Sequence, residues 1–447
     1  MLRGDSAAVQ ARGARFRPRG NGMPLGISRF AALTLFVASG CSAAFGDDPS
    51  PRNAGDRASG DWSGLRGDLY RHGLALDVSF KLDALRVAKG GLHQGGRPIG
   101  HFDLGAKGDL EKLAGWAGAT GFVNYIYDGG GKTNTDYLGS LHGASNIEVP
   151  VSTARFYQAW IEQSFSGGDA AVLAGLYPID SEFQAVESAA MFVQPPYGAA
   201  PDVALTRGPS IFNNPAFGVR AKWAAEPGPY AMAAVLDGIP GDPDHPKGTH
   251  IRFRAGDGTM HIAEIGYRSP VAPGIPAAAT GEFFGKYALG HWRYSAKVND
   301  LVDMNPSGVP ELRRSSGWYA LAERMLWRWK AGNLAGFIRF GATDGDSTAI
   351  DHYYNVGVRV RGLLPGRPED ACGLAHTRGN IGDKFRIRQA AAGIDATAAE
   401  SATEVTCRIQ ANNWLAVQPV LQWYRNPGAD RAVPDAKVIG VRLVLSL

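Results

Sequence analysis

The 447-residue chain is rich in glycine (59 residues) and in aromatics (10%), a composition that favours many short strands and turns over a helix bundle. Its formal charge of +4 comes from one end: Arg3, Arg12, Arg15, Arg17, Arg19 and Arg29 precede Phe45 with a single acid, Asp5, so of 46 basic and 42 acidic residues 40 and 41 lie beyond it. That near-neutral remainder excludes nucleic acid as a partner recognised by bulk charge.

In chain order, the apolar run Phe30–Ala38 follows Arg29 and precedes the small residues Ser42-Ala43-Ala44. This is the pattern of a secretory leader, expected over residues 1–44 with cleavage after Ala44; the run is too short to span a bilayer. Met23 is an alternative start. Cys41 raises a lipoprotein reading, against which Ala38 stands where a lipobox usually has leucine. Residues 45–73 read as an N-terminal periplasmic segment, loose at first, with a short helix opening at Asp61-Trp62-Ser63-Gly64-Leu65-Arg66 and ending near Gly73.

From residue 74 to 447, alternating segments of about ten residues follow one another, separated by Gly, Asp, Asn or Pro clusters. They are LALDVSFKLDAL, GHFDLGAKGDLEKL, ATGFVNYIYDG, the hairpin Arg155–Phe183 turning at Gly167-Gly168-Asp169, FGVRAKWAAE, GPYAMAAVLDG, HIRFRAG, MHIAEIGYRS, KYALGHWRYSAK, GWYALAERMLWRW, LAGFIRFGAT, YYNVGVRVRGL, NWLAVQPVLQWYR and KVIGVRLVLSL. An exported chain of such repeats, with aromatics at segment ends and no spanning helix, predicts an all-β transmembrane antiparallel β-barrel of sixteen strands, with outer-membrane lipid around it. A large secreted β-sandwich or propeller is the alternative, but no repeat near 40 to 50 residues supports it.

Alternation assigns the faces. In the last strand Ile439, Val441, Leu443, Leu445 and Leu447 face lipid, which sends Gly440, Arg442, Val444 and Ser446 inward; an arginine at the bilayer midplane costs roughly 2–4 kcal/mol, so the register is forced. The same logic places Arg220, Lys222, Arg252, Arg254, Asn355, Arg359, Arg361, Gln418, Gln422 and Tyr424 inside. In the central strand Gln158, Trp160, Glu162 and Ser164 share the inner face, with Arg155 at its mouth, while Tyr157, Ala159, Ile161 and Phe165 share the oily one. The wall so drawn is polar, arginine-rich and water-filled.

Catalytic and metal signatures do not assemble. Gly129-Gly130-Gly131-Lys132-Thr133 imitates a phosphate loop but has Ile126 where the first glycine belongs and a poor helix after it. The ten histidines are scattered, with no zinc spacing, and no GxSxG elbow occurs. Glu162, Asp180, Glu182 and Glu264 are carboxylates of the kind a glycosidase pairs, without a spacing that locates a pair. Cys372 and Cys407 are most simply one disulfide in an exported protein, within a long loop. No enzyme activity, metal or cofactor is expected. What remains is a polar solute: aromatic faces beside Arg, Glu, Gln and Asn suit the CH faces and hydroxyls of small sugars. Arg155, Gln158, Trp160, Glu162, Arg220, Lys222, Glu264, Arg359, Gln418, Gln422 and Arg442 are the candidate pore-lining, substrate-binding residues.

Several stretches, in order along the chain, resemble the OprB-type carbohydrate-selective porins: Gly60–Arg66, Phe102–Gly105 with Asp109–Leu113, Arg155–Phe165, Asp180–Phe183, Gly362–Pro368, and Gln418–Gln422 with Asn426–Gly428. The resemblance implies a sixteen-stranded, often trimeric barrel in the outer membrane of a Gram-negative bacterium, hence a homotrimer here. It implies diffusion of small sugars such as glucose through a pore narrowed by arginines, and an N-terminal segment carrying Trp62 and Arg66 near the periplasmic mouth. Two features depart from the family: the chain ends in Leu447 where Phe or Trp is usual, and the Cys372–Cys407 region carries little of the pattern. A general or anion-preferring porin of the same fold is the second reading, and a secreted carbohydrate-binding or carbohydrate-active β-protein the third.

Overall fold

The computed structural model describes residues 57–225, 227–269 and 285–447. The leader 1–44, its cleavage site and Cys41 lie outside them. Sixteen strands form one closed sheet in which each strand pairs antiparallel with its sequence neighbours and β1 pairs with β16. They are β1 Leu74–Lys89, β2 Ile99–Asp109, β3 Ala119–Gly130, β4 Thr153–Phe165, β5 Ala170–Tyr177, β6 Ala216–Ala224, β7 Gly228–Asp237 and β8 Thr259–Ser269. The second half comprises β9 Gly285–Met304, β10 Pro310–Trp329, β11 Gly332–Thr343, β12 Ile350–Arg361, β13 Ala371–Ile381, β14 Ala399–Asn412, β15 Leu415–Arg425 and β16 Ala436–Ser446. Closure removes the sheet edges that a bilayer would leave unpaired.

The two ends of the barrel differ. Connections 166–169, 330–331 and 413–414 are short turns at one end, whereas 131–152, 178–215 and 238–258 are long loops at the other; short turns mark the periplasmic side and long loops the extracellular side. The segment before β1 sits at the periplasmic end, as a 3-10 turn at Trp62–Gly64 and helix α1, Leu65–Arg71. It clasps the β1–β16 seam: Ala58 N donates to Ser446 O at 2.9 Å, Arg66 Nη2 to Leu447 O at 3.1 Å, and Arg57 pairs with Asp77 at 2.6 Å.

The outer face follows the expected parity, with Val123, Ile161, Val219, Trp223, Leu289, Ile338, Leu421 and Ile439 all exposed to where lipid lies. Three expectations are corrected. First, Tyr157 is not on the oily face. Asn124 stands opposite Gln158 and Tyr125 opposite Phe156, so Tyr157 is the extra residue of a bulge; it is fully buried, 5.7 Å from the Phe212 ring inside the barrel. The bulge lets Arg155 and Gln158, three apart, both point inward. Second, HIRFRAG is not a strand but part of loop 238–258, where Arg252 and Arg254 pair with Asp242 and Asp244. Third, Cys372 and Cys407 are disulfide-bonded not within a loop but as directly opposite residues of β13 and β14, two strands the alternation did not reveal.

Glycine has a specific use on the inner wall. Gly266, Gly290, Gly317, Gly341 and Gly357 lie directly opposite Tyr230, Tyr319, Trp292, Tyr353 and Phe337 on the next strand. Each ring lies across its glycine so closely that an added Cβ would fall 2.0–2.6 Å from a ring atom. The rings thus cover bare backbone instead of projecting into the lumen. Gly290→Val is expected to displace Tyr319 and cost about 1–3 kcal/mol, read as a lower temperature for the gel shift between folded and unfolded barrel; an unchanged temperature would show that the ring relocates freely.

Candidate functional site

Two long loops fold into the barrel and narrow it. Loop 178–215 starts between β5 and β6 and crosses to β14 and β15 on the opposite wall; loop 131–152 lies beside it, against β14–β16 and β1. Backbone brought into a lumen in this way must find partners for its N–H and C=O groups, and inward side chains at alternate strand positions supply them.

Carboxylates of the wall accept from loop N–H groups. Glu323 accepts from Glu187 N and Ser188 N, both at 3.0 Å, and Glu404 from Val193 N and Gln194 N at 2.7 and 2.8 Å. Glu264 accepts from Gln184 N at 2.9 Å, and Glu400 from Leu141 N, His142 N and Ser140 Oγ. Donor side chains take the loop carbonyls. Arg339 donates to Gln184 O, Gly198 O and Pro196 O, Asn355 to Pro196 O, Gln418 to Met191 O and Gln422 to Ala144 O. Between these polar clasps lies an aromatic layer that includes Phe122, Trp160, Tyr177, Phe183, Phe192, Tyr197, Phe212 and Phe337. The lumen is therefore not the uniformly polar, water-filled channel that alternation suggested, because much of the inner wall packs against loops.

The eleven candidate residues all sit on inward positions, but nine of them are buried, from 0% (Gln418, Arg442) to 5% (Arg155, Trp160) exposed. Arg155 holds Asn214 and Pro246 O, and Gln158 accepts from Trp160 Nε1 at 3.1 Å. Arg220 binds Glu162 at 2.5 Å and Glu182 at 2.8 Å, and Tyr177 also donates to Glu182. Arg442 makes two 2.6 Å bonds to Asp83 and a third to Asn146 of loop 131–152. Glu264, Gln418 and Gln422 hold loops as described. Lys222 and Arg359 keep partial exposure.

Arg359, 3.9 Å from Glu187, opens onto a shallow recess lined also by Ser188, Glu323, Arg324, Met325 and Asn333. Glu187, Ser188, Glu323 and Asn333 escaped sequence reasoning. For Glu323 a signal exists, an acid alternating with Tyr319 and Leu321 on the inward parity of β10; the path of the loop bearing Glu187 leaves none.

Within loop 178–215 two carboxyls are displaced in opposite directions. Burial alone would raise Glu182, but Arg220 and Lys222 outweigh it and bring the group down to about 2. Burial lifts Asp180 to about 7, with a weak contact from Phe212 N the opposing influence.

The whole barrel matches a known architecture. A family model described as carbohydrate-selective porin, OprB family, matches residues 93–447. The chain belongs to that family. It is a sugar-selective porin of the outer membrane of a Gram-negative bacterium. It is 25% identical over 418 residues to Porin B of Pseudomonas aeruginosa, covering 86% of this chain and 90% of that one. Among solved structures it resembles OprB of Pseudomonas putida at high pH, with TM-score 0.77 and 20% identity over 89% of this chain and 100% of that one. The low-pH structure of the same protein gives TM-score 0.56 and 18% identity, over 88% and 98% of the two chains.

Two outcomes are expected for the porin's inner loops. Glu323→Ala leaves the N–H groups of Glu187 and Ser188 without their carboxylate, at roughly 1–3 kcal/mol per orphaned group; the loop near residue 188 should loosen and open-channel conductance rise. Asp180, raised above its unfolded value near about 3.9, binds its proton more tightly in the folded loop. Its contribution is therefore complete below that value and lost as pH rises through about 7. Amide exchange in residues 178–184, corrected for intrinsic rate, should accelerate from about pH 5 to about pH 8, and Asp180→Asn should remove that trend. Glu182 adds nothing in this window, because its contribution disappears only as pH falls towards about 2.

Proposed function

We propose that the porin passes small sugars, glucose among them, by passive diffusion without a catalytic step or cofactor, and that Arg359 and Lys222 are the candidate residues that meet the sugar. The observation carrying this reading is the polar recess between loop and wall, where a planar guanidinium, the carboxylates of Glu187 and Glu323, the Ser188 hydroxyl and the Asn333 amide converge. These groups replace the hydration of adjacent sugar hydroxyls. Arg155, Gln158, Trp160, Glu162, Arg220, Glu264, Gln418, Gln422 and Arg442 act indirectly, by fixing the loops that bound the passage.

The experiment is single-channel conductance of the refolded porin in planar bilayers, titrated with glucose, xylose and a disaccharide. Saturable block by the monosaccharides is expected. Arg359→Gln should weaken it about tenfold or more, as for loss of a charged hydrogen bond of about 1.5–3 kcal/mol; undiminished block in that variant would remove Arg359 from the site. A second reading, preference for small anions, is favoured by Arg359, Arg361 and Arg408 on the inward parity of β12 and β14 near the periplasmic mouth. Open channels indifferent to sugar but anion-selective would establish it.

The reading includes removal of residues 1–44 on export, which the N-terminal mass of the purified porin tests. It also includes a homotrimer, for which the outward residues Phe102, Tyr127, Phe156 and Phe217 offer an uncharged wall on β2, β3, β4 and β6. Sedimentation of the detergent-solubilised porin at the mass of one chain would remove the trimer alone.

A further inference from the structure

The outward face of the barrel is not electrically uniform around its extracellular rim. On β1, β16, β15 and β13, the outward or exposed positions near the extracellular strand ends hold Arg86, Lys89, Lys437, Arg425 and Arg378, with His376 just below Arg378. Cross-strand register places them in adjoining rows. Lys89 stands opposite Lys437, Lys437 opposite Trp423, Trp423 opposite Thr403 and Thr403 opposite His376. One step further out, Arg425 and Arg378 both stand opposite Ser401. The arc spans four strand spacings of about 4.8 Å, roughly 19 Å of rim.

Among the described residues these charges meet no carboxylate. Arg86, Lys89, Arg425 and Lys437 make no ion pair among the described residues, and Arg378 donates to Asn380 Oδ1 at 3.3 Å without a carboxylate partner. Like charges side by side on neighbouring strands repel, so the cluster needs an anion to stabilise it. Trp423 and Tyr354 share the same rows, and aromatic rings of this kind mark the level of lipid headgroups. The corresponding ends of β2, β3, β4 and β6 carry Phe102, Tyr127, Phe156 and Phe217 and no cation at these outward positions. The arc is thus set apart from the β2–β6 flank, and a second outward group, Arg293 and Lys297 of β9 with Arg314 of β10, lies on another part of the rim.

We propose that the β13–β16–β1 flank is a binding surface for a phosphorylated glycolipid of the outer leaflet, its phosphates seated on Arg378, Arg425, Lys437 and Arg86 and its acyl chains on the apolar face below. Charge complementarity supplies the recognition, because a row of cations at headgroup height attracts anionic lipid, and Arg forks pair with phosphate oxygens. Val356, Leu421 and Ile439, exposed on the same outer face, with Ile439 opposite Arg86 and Val356 opposite His376, provide the surface for the chains.

The test uses the full-length porin purified in detergent and native mass spectrometry with bisphosphorylated lipid A as the probe. The parent is expected to retain the probe, and the variant Arg86→Gln/Arg378→Gln/Arg425→Gln/Lys437→Gln to bind it roughly tenfold or more weakly, with unchanged heat-shift and open-channel conductance. Dephosphorylated lipid A should bind the parent as weakly as the probe binds the variant. Equal binding by parent and variant, or equal binding of both lipids, would overturn the proposal. Should the fourfold variant not fold, raised ionic strength on the parent serves instead: release of the probe supports the phosphate contacts, and indifference to salt overturns them.

Discussion

An irregular chain inside a barrel exists only if every peptide group it buries is met by the wall. In this porin the wall does so with side chains at alternate strand positions: Glu264, Glu323, Glu400 and Glu404 for N–H groups, and Arg339, Asn355, Gln418 and Gln422 for carbonyls. The strand period of two residues makes such a lattice easy to build, because each strand offers an inward group about every 7 Å. Acids therefore appear inside the barrel for a reason other than binding solute. A buried carboxylate holding two backbone N–H groups is in a charge-assisted bond on both oxygens, a stronger attachment than apolar packing alone provides.

The division of labour follows. Charged residues that look like ligands in the sequence are largely fasteners, and the passage is bounded by what the fasteners hold. Arg220 illustrates it: an arginine on the inward parity of β6, it is enclosed by Glu162 and Glu182 at 1% exposure. Arg359, on the same parity of β12, keeps a face towards open space because loop 178–215 passes beside it without covering it. Which arginine ends in which role depends on the loop's course.

Legibility follows the same line. Barrel, strand count and most faces were readable, because an Arg442 or a Gln418 flanked by aliphatics admits one orientation in a bilayer. The hidden strand β13 inverts the usual alternation: Gly373, Ala375 and Gly379 face inward while His376, Arg378 and Asn380 face outward, so no oily face is apparent. Residues 251–254 alternate for a different reason, since Arg252 and Arg254 turn to Asp242 and Asp244 while Phe253 rests 6.0 Å from Phe217 on the barrel exterior. Tyr157 reads from alternation as oily-faced and is instead buried inside, because a bulge changes parity without changing composition. The candidate site was legible as a set of inward residues and not as a set of accessible ones, since access is decided by 38 loop residues, 178–215, whose fold depends on partners far along the chain.

The course of that loop also has a mechanical meaning. It leaves the wall between β5 and β6 and is bolted to β8, β10, β11, β12, β14 and β15, so it runs across the lumen from one side to the other. A hollow sheet cylinder flattens readily, because its strands hinge about their hydrogen bonds; a cylinder with a strut fixed at both ends does not. Lateral pressure from the membrane would have to break charge-assisted bonds at Glu323 or Glu404 before it could make the cross-section oval. The element that narrows the passage is thus also the one that keeps the barrel round.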